Sequence, residues 1–383
     1  MNTKISILSI ESISALGADT EKIWTNYLNN QHYIKEKLID NVNSLVVSLN
    51  EQEIKRVEAL RISHPKYKKL DETVLLAIIV ARQAIIKANW NKNDTIGINI
   101  GSSRGATKLF ERYHKDYVEN KQINTLASPT TTLGNISSWV AHDLQTNGPN
   151  LSHSITCSTG LHSLLNGIAW LKSGMSSKFL IGASESPLTG FTIAQMKALK
   201  IYALKNTKYP CQSLNLNKSK NSMVLGTAAS IVCIEQGESK NALAYIIGYG
   251  FSTEPLEHNV SISSHADCLQ NSMKMALKGN PTSEIDVIIT HTPGTIKGDI
   301  SELNAIDILF GKNKPAITCN KWKLGHTFAS SGLLSLQLAV MMLENNEFIH
   351  VPYIENKAPK NIKKILLNSV GFGGNAVSIL VSK

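Results

Sequence analysis

The sequence lacks an apolar run long enough to cross a lipid bilayer, which takes roughly 20 residues. Its most apolar stretch, residues 74–88, is interrupted by Arg82 and Gln83. The first ten residues also lack the basic flank and the long apolar core of a secretory signal peptide. We therefore expect a cytoplasmic protein that does not enter the membrane.

Paired cysteine motifs are absent as well. The five cysteines are scattered through the chain, at positions 157, 211, 233, 268 and 319. This pattern fits a reducing compartment better than a disulfide framework. Most free cysteines are buried structural residues, and we interpret the cysteines at 211, 233, 268 and 319 in that way.

Acidic residues are fewer than basic ones, and the formal net charge is +10. A positive excess attracts acidic partners over long range. No stripe of alternating aromatic and basic residues is present, which argues against nucleic acid as the partner. An acidic protein partner and simple solubility remain the two interpretations.

Short β-rich apolar runs alternate with amphipathic helical patterns, which is typical of an α/β fold. The predicted strands are 96–100, 179–181, 287–290, 316–319 and 365–368. The predicted helices are 72–88, 161–171 and 333–343. With 383 residues, the chain can bury a substantial core.

Two of these helices begin with related sequences, STGLHSLL at 158–165 and SSGLLSLQ at 330–337. Identical residues fall at five aligned positions: Ser158 and Ser330, Gly160 and Gly332, Leu161 and Leu333, Ser163 and Ser335, Leu164 and Leu336. The match predicts two halves of similar fold. The polar, turn-prone segment 237–241 is the expected division between them.

Cys157 is predicted to lie where a strand running from Ser152 enters a helix. Unpaired N–H groups and the helix dipole at such a position favour a thiolate, which is the reactive form of cysteine. From this placement alone, a nucleophile and a buried structural cysteine remain equally good interpretations.

Five segments, in order, resemble the motifs of β-ketoacyl-acyl-carrier-protein synthases. They are CSTGLH at 157–162, GASESPL at 182–188, THTPGTIKGD at 290–299 with Glu302 beyond it, NKWKLGHTFASSG at 320–332, and NSVGFGG at 368–374. Weaker similarity at 14–17 and Trp24 extends the resemblance over essentially the whole chain. It implies the elongating branch of the thiolase superfamily, because His326 stands where initiating synthases carry Asn, and the C-terminal region lacks the second cysteine of biosynthetic thiolases.

The resemblance implies an α/β protein with the five-layered αβαβα thiolase-like fold and an internal duplication. Residues 1–240 would form the N-terminal ketosynthase half with the nucleophile. Residues 241–383 would form the C-terminal half with both catalytic histidines. An acidic, phosphopantetheinylated acyl carrier protein would be the partner, and the chain would pair as a homodimer or with a related subunit, without metal, cofactor, nucleic acid or membrane.

The resemblance also implies roles for individual residues. Cys157 would carry the acyl group, His291 and His326 would stabilise the enolate that forms when a malonyl thioester loses carbon dioxide, and Lys321 would organise the charge of the site. The remaining roles are an oxyanion hole from the N–H groups of Cys157 and Phe372, a gate formed by the Phe372 ring, and substrate binding by Thr295, Gly373 and Gly374. The reaction is decarboxylative Claisen condensation, which yields a 3-oxoacyl-acyl-carrier protein.

Three departures from the family pattern predict a divergent member. Pro293 replaces a threonine, Ser335 replaces a glutamate, and segment 217–229 lacks the usual charged residues and its Gly-Glu-Gly turn. These changes favour a specialised polyene, pigment or polyketide-like pathway over bulk fatty acid synthesis.

Two alternatives remain open: a non-catalytic partner subunit like the chain-length factors, and an acyltransferase or thioester hydrolase on the same fold. Lys323 is interpreted as a solvated charge, and His162 as a residue packed beneath the site. Surface or packing positions are expected for the other histidines, His32, His64, His114, His142, His258, His265 and His350.

Overall fold

A computed structural model describes residues 4–91, 94–255 and 262–383, so His258 lies outside the described residues. The strands are Ile5–Ile13 (β1), Lys35–Ile39 (β2), Val42–Val47 (β3), Ile96–Gly101 (β4), Asn150–Leu151 (β5), Lys178–Glu185 (β6), Leu225–Gly226 (β7), Ala228–Gln236 (β8), Ala244–Thr253 (β9), Val287–Ile289 (β10), Ala316–Thr318 (β11), Lys364–Gly371 (β12) and Asn375–Ser382 (β13).

The α-helices are Thr20–Leu28 (α1), Glu51–Ser63 (α2), Glu72–Lys87 (α3), Thr107–Asn120 (α4), Ala127–Thr131 (α5), Asn135–Leu144 (α6), Thr159–Lys172 (α7), Gly190–Ala198 (α8), Asp267–Ala276 (α9), Ile296–Phe310 (α10), Lys321–Leu324 (α11) and Ser331–Asn345 (α12). Short 3-10 turns cover Pro65–Tyr67, Thr156–Ser158, Thr282–Glu284 and Phe328–Ser330. The predicted strands and helices are confirmed, with ends that differ by a few residues. Within the described parts of the chain, every helix falls short of the length or apolarity that a bilayer crossing requires.

The main sheet is made of two halves with the same strand order. One half runs β5-β4-β6-β8-β1 and the other β11-β10-β12-β13-β9. In each half the first three strands are parallel and the last two pairings are antiparallel. The halves join through the antiparallel pairing of Ile5 with Ile246 and of Ile7 with Ala244. This repeated order is the internal duplication that the sequence predicts.

Alternation along the strands divides the core into layers, because successive side chains point to opposite faces of a sheet. In β6, Phe179 and Ile181 join the central core while Leu180 joins the outer core beneath α3 and α6. In β12, Ile365 joins the central core and Leu366 the opposite outer core beneath α9 and α10. Helices α7 and α12 lie between the two half-sheets, which completes the αβαβα order of the thiolase-like fold.

The two central helices cross at their N-terminal turns through a pair of glycines. A Cβ atom on Gly160 would lie 2.6 Å from the Ala329 carbonyl oxygen and 3.1 Å from Leu333 Cγ. A Cβ atom on Gly332 would lie 2.8 Å from Leu161 Cγ. Because Leu161 and Leu333 occupy equivalent places in the repeat, each half supplies one glycine and one leucine to the crossing.

A small sheet, in the order β2-β3-β7, lies over the end of this crossing. Val46 of β3 pairs in parallel with Leu225 of β7, and Leu225 forms a single parallel bridge to His326. Through this bridge the small sheet contacts His326, which is a predicted catalytic residue.

Replacing Gly160 with alanine should destabilise the protein by about 1–3 kcal/mol, because the added methyl group overpacks the helix crossing. Urea denaturation monitored by circular dichroism would measure the change. Gly134→Ala is the matched control, since no atom lies within 4 Å of its Cβ position, and it should leave the unfolding midpoint nearly unchanged. Equal midpoints for the two variants would contradict this account of the crossing.

Candidate active site

Cys157 lies in a strained turn at the start of α7. Residues 152–155 form no regular structure, so the predicted strand before the cysteine is wrong, whereas the helix start is confirmed. Thr156 has φ of 45°, in the left-handed region that disfavours threonine. The Thr159 hydroxyl stabilises the turn, since its oxygen accepts from the Ile155 N–H at 2.8 Å and it donates to the Thr156 carbonyl at 2.6 Å.

The second half contains a copy of this turn at the start of α12. Phe328, the counterpart of Thr156, also has φ of 45°, and each residue opens a 3-10 turn that leads into a central helix. Ala329 occupies the position of Cys157. Of the two equivalent turns, therefore, the turn in the first half carries a thiol and the turn in the second half carries a methyl group.

His326 comes from the second half and touches the cysteine of the first. Its backbone is extended beside β7, where its N–H donates to the Val224 carbonyl at 2.6 Å and its carbonyl accepts from the Gly226 N–H at 3.1 Å. Its ring nitrogen Nε2 lies 3.0 Å from Cys157 Sγ. Nδ1 is buried and has no hydrogen-bond partner among the described residues.

His291 lies at the end of β10, and Glu302 of α10 determines its backbone position. The two carboxylate oxygens of Glu302 accept from the N–H groups of His291 at 2.9 Å and Thr292 at 2.7 Å. The His291 and His326 rings are 5.3 Å apart between centroids and nearly perpendicular. One ligand atom from each ring and Cys157 Sγ lie within 4.8 Å of one another.

Lys321 is buried at the start of α11 and interacts electrostatically with Cys157, His291 and His326. Burial lowers the pKa of its ammonium group, while Cys319 and Glu302 oppose that shift. Its positive charge in turn lowers the pKa of both imidazoles, which burial already holds well below the usual value. A cysteine and two histidines at this spacing resemble a metal-ligand set, but the neighbouring ammonium group disfavours a second cation there.

Burial raises the pKa of the Cys157 thiol to about 12, although Lys321 and a backbone N–H lower it. Desolvation outweighs the opposing effects of Lys321 and the backbone N–H group, and so favours the thiol over the thiolate that the helix start predicts. A neutral His326 in contact with the sulfur can accept its proton, and two neutral imidazoles can donate hydrogen bonds to a developing oxyanion.

A cavity of about 240 Å³ opens beside Cys157. The apolar part of its lining includes Met196, Leu199, Ile201, Met223 and Phe328, and the lining also includes Asn221, Pro293, Thr295, Lys297, Phe372 and Gly374. Such a mixed lining can hold an apolar chain near the sulfur and also offers polar groups to a substrate.

The predicted site residues are largely brought together. Cys157, His291, His326, Thr295, Phe372 and Gly374 all line the cavity. Lys321 is buried behind them, and Gly373 is not part of the lining. Gly371 lets the C-terminal turn approach the nucleophile, because a Cβ atom there would lie 2.1 Å from Thr156 Oγ1. The Thr156 hydroxyl also donates to the Phe372 carbonyl at 3.4 Å.

The interpretation of Lys323 as a solvated charge is wrong. Its side chain is buried, and its ammonium group donates to the carbonyl oxygens of Asn26 and Asn29 and to Asn29 Oδ1. Burial lowers its pKa to about 8. The alternating Lys-Trp-Lys pattern gave no signal of this, since the acceptors lie nearly 300 residues earlier in the chain.

The divergent segment before β7 is anchored by a buried ion pair. Lys218 Nζ lies 2.8 Å from Asp299 Oδ2, and the Asp299 carboxylate also accepts from the N–H groups of Gly294 and Leu214. The pair joins the loop before β7 to the first turn of α10, and the Gly294 N–H group connects Asp299 to the loop that follows His291. Ser335, at the position of the missing glutamate, is buried within α12.

Several functional positions escaped the sequence analysis. The lining residues Met196, Ile201 and Met223 belong to no motif, and only the folded chain brings them beside Cys157. Glu185, buried at the end of β6, lies within a quoted motif, but no role was assigned to it. The available signal for Glu185 was an acidic residue at the end of an apolar strand.

Comparison with known proteins identifies two matching families. Residues 2–240 match the family described as "Beta-ketoacyl synthase, N-terminal domain", and residues 243–353 match "Beta-ketoacyl synthase, C-terminal domain". The chain is 24% identical over 411 residues to 3-oxoacyl-[acyl-carrier-protein] synthase 2 of Staphylococcus aureus (strain COL), with 100% of this chain and 99% of that protein covered.

Two solved structures share the fold at 18% sequence identity. The ishigamide ketosynthase/chain length factor has a TM-score of 0.88 and covers 100% of both chains. The ketosynthase of AntDE:AntF, a type II PKS acyl-carrier protein in complex with its ketosynthase bound to the hexaketide, has a TM-score of 0.82 and covers 100% of this chain and 99% of that chain. At this identity, the two structures establish the fold alone.

Replacing Lys218 with methionine should destabilise the protein by about 3–5 kcal/mol at pH 8, because Asp299 is left as an uncompensated buried charge. Burial already raises the pKa of Asp299, and loss of the ammonium group should raise it further. When the pKa of an acid is higher in the folded state, the protein loses stability as pH rises from the unfolded-state pKa to the folded-state pKa. The destabilisation caused by Lys218→Met should therefore be smaller at pH 5.

Urea denaturation at both pH values would measure this. Lys314→Met, which removes the cation of an exposed pair with Asp307, is the control and should have little effect at either pH. The same loss for Lys218→Met at pH 5 and pH 8 would contradict the buried-charge explanation.

Proposed function

The chain belongs to the β-ketoacyl synthase family of acyltransferases, and from that premise we propose that it catalyses decarboxylative Claisen condensation. An acyl thioester on Cys157 would react with malonyl-acyl-carrier protein to give a 3-oxoacyl-acyl-carrier protein. The observation that carries this proposal is the 3.0 Å contact between His326 Nε2 and Cys157 Sγ, with the His291 ring beside it.

In the first half-reaction, Cys157 takes the acyl group. His326 accepts the thiol proton as sulfur attacks the carbonyl carbon of the acyl-carrier thioester, and the carrier thiolate leaves as the new carbon–sulfur bond is complete. The departing thiolate then takes up the proton. Covalent catalysis of this kind divides one difficult transfer into two easier steps. The raised pKa of the thiol explains why a base in direct contact is needed.

In the second half-reaction, a malonyl thioester loses carbon dioxide. The electron pair of the broken carbon–carbon bond forms an enolate, whose oxygen accepts hydrogen bonds from His291 and His326. Enolate carbon then attacks the acyl group, and Cys157 leaves as a thiolate that is reprotonated. Neutral imidazoles suit this role, and the low pKa of both rings supports their neutrality. Lys321 would favour the anionic intermediates from behind.

The acyl carbonyl oxygen would need a separate pair of donors, and the N–H groups of Cys157 and Phe372 are proposed for it. Two glycines form the turn next to Phe372, where Gly373 and Gly374 have φ of 93° and 66°, a region that other residues rarely adopt. The Phe372 ring, 38% exposed at the cavity, would act as the gate. Gly373 would serve substrate binding by allowing the turn to adopt this conformation. Gly374 would contact the substrate from the cavity lining.

The proposed partner is an acidic acyl carrier protein with a phosphopantetheine arm. The net charge of +10 and Lys297 on the cavity lining favour an acidic partner. Thr295 would hydrogen-bond the arm, whereas Pro293 lacks the hydroxyl that the family usually offers. One of the structural neighbours is a ketosynthase in complex with its acyl-carrier protein, which supports the same mode of use here.

We assign residues 1–240 to the nucleophile half and 241–383 to the histidine half, and pairing as a homodimer or with a related subunit remains part of the proposal. Two flexible methionines, Met196 and Met223, on the apolar side of the cavity suit an irregular or extended acyl chain. Together with the altered Pro293 and Ser335, they favour a specialised polyene, pigment or polyketide-like pathway.

A chain-length-factor-like subunit is the alternative. Such a partner has no need of a nucleophile, and this chain keeps Cys157 in contact with His326. The two functions differ in whether the chain forms an acyl adduct.

Replacing Cys157 with alanine should abolish acylation, because no other described cysteine lies on the cavity lining. Intact-mass analysis after incubation with acyl-carrier protein should show the acyl mass on the wild type and none on the variant. Cys233→Ala, in the outer core beneath α3, is the control and should acylate normally. An unmodified wild-type chain would favour the partner-subunit alternative.

Replacing His291 with alanine should slow decarboxylation by about 10²–10³-fold, since one of the two oxyanion donors is lost. Acylation of Cys157 should persist, because His326 remains in contact with the sulfur. Release of labelled carbon dioxide from malonyl-carrier protein and adduct formation, measured in parallel, would separate the two steps. Loss of both activities in a folded variant would contradict the division of roles.

A further inference from the structure

Glu185 is a completely buried carboxyl group beside the nucleophile turn, and the proposed reaction does not use it. It is the last residue of β6. Its Oε1 atom accepts hydrogen bonds from the N–H groups of Ser103 and, at 3.4 Å, Ala329. Oε2 is buried without a hydrogen-bond partner among the described residues. The Ser102 and Ser103 hydroxyls also favour its charged form, but burying a carboxyl group is costly, which points to a use.

The hydrogen bonds of Glu185 lead directly to the strained residue before the nucleophile. Ser103, whose N–H group Glu185 holds, donates its hydroxyl to the Thr156 carbonyl at 2.7 Å. Thr156 is the residue with φ of 45° whose conformation presents Cys157. Strained backbone persists only where the surroundings over-determine it, and Ser103 and Thr159 both bond the same carbonyl oxygen.

The second hydrogen bond joins Glu185 to the duplicated turn. Ala329 is the counterpart of Cys157, so its N–H group corresponds to the N–H group proposed as an oxyanion donor. Glu185, from the first half, accepts a hydrogen bond from this N–H group of the second half. One carboxyl group therefore connects the nucleophile turn with its copy at the helix crossing, where Gly160 lies against Ala329.

We infer that Glu185 is a positioning residue of the nucleophile turn, which it holds through Ser103 and Ala329, and that its ionisation opposes formation of the Cys157 thiolate. The inference rests on the proposed role of Cys157 as nucleophile. Electrostatics agrees with the geometry, since burial raises the pKa of Glu185 to about 7 and its charge raises the pKa of Cys157.

The other charged or titratable groups around Glu185 come from several elements. Arg104, from the loop after β4, interacts with Glu185 and also with Glu111 of α4, and Glu72 of α3 accepts from the hydroxyl of the neighbouring Ser186. Glu185 and Glu111 both oppose the lowering of the Arg104 pKa by burial, so Arg104 is the cation that faces the carboxyl group. No charged residue lies in the 3-10 turn Phe328–Ser330.

Glu185→Gln separates positioning from charge. The amide oxygen can still accept from Ser103 and Ala329, but the group cannot ionise. Alkylation of Cys157 by iodoacetamide between pH 6 and pH 9, followed by intact mass, reports the thiolate fraction without requiring condensation. At pH 8 the rate should rise about 3- to 10-fold over the wild type, since a thiol pKa lower by half a unit to one unit gives that change, and at pH 6 the two rates should agree.

Glu185→Ala removes both functions. It should slow alkylation at least about tenfold at pH 6, because the turn loses the acceptor that orders it and two N–H groups are left unpaired. The slowing should be smaller at pH 8, where loss of the charge offsets part of it. Ser103→Ala removes the hydroxyl that bonds the Thr156 carbonyl but keeps the backbone N–H group that donates to Glu185. It should reduce the rate by a smaller factor, and it keeps the test valid if Glu185→Ala does not fold. Glu11→Gln is the matched control, a buried carboxyl group of raised pKa on β1, and should follow the wild-type profile.

Thermal unfolding gives a second measure. A carboxyl group whose pKa is raised on folding contributes stability at low pH that is lost as pH rises from its unfolded value of 4.5 through about 7. Glu185→Gln should therefore gain melting temperature relative to the wild type between pH 5 and pH 8.

The inference is overturned if Glu185→Gln shows the wild-type alkylation profile, if it slows as much as Glu185→Ala, or if Ser103→Ala alkylates at the wild-type rate. Failure of condensation alone would instead concern the proposed function.

Discussion

The close crossing of α7 and α12 is the constraint on which the rest of the molecule depends. Gly160 and Gly332 let the two helix starts approach until side chain meets backbone. Each start carries a strained turn, and the crossing brings both turns to one point. Since His326 immediately precedes the second turn, this approach is also what sets an imidazole from one half against the thiol of the other.

The duplicated backbone is used asymmetrically. Both turns have a left-handed residue at the equivalent position, Thr156 in one and Phe328 in the other. The next residue is Cys157 in the first turn and Ala329 in the second. The first half contributes Cys157, the proposed nucleophile, and the buried Glu185, whereas the second contributes both imidazoles, a lysine and the C-terminal turn. A site shared in this way cannot form in either half alone, because the contact that matters spans the crossing.

Burial governs the electrostatics of the site more than any single charge does. It raises the pKa of Cys157 and Glu185 and lowers that of His291, His326 and Lys321. Desolvation disfavours every charged form, so it favours the neutral forms of the Cys157 thiol and of both imidazoles. Such a site is poised to develop charge during reaction, when its fixed donors and its base come into use.

The sequence by itself determined the alternation of strands and helices and the duplicated helix starts, because periodicity and motif order are local properties of a chain. It also singled out Cys157, His291, His326 and Phe372 as candidate site residues. The tertiary structure alone decided that Ser152 to Ile155 are irregular, that Lys323 is buried, that Met196 and Met223 line the cavity, and that Glu185 reaches the nucleophile turn. These features depend on contacts between residues far apart in the chain, and on desolvation, which no local pattern measures. For the same reason, the helix start predicted a thiolate at Cys157, whereas burial favours the thiol.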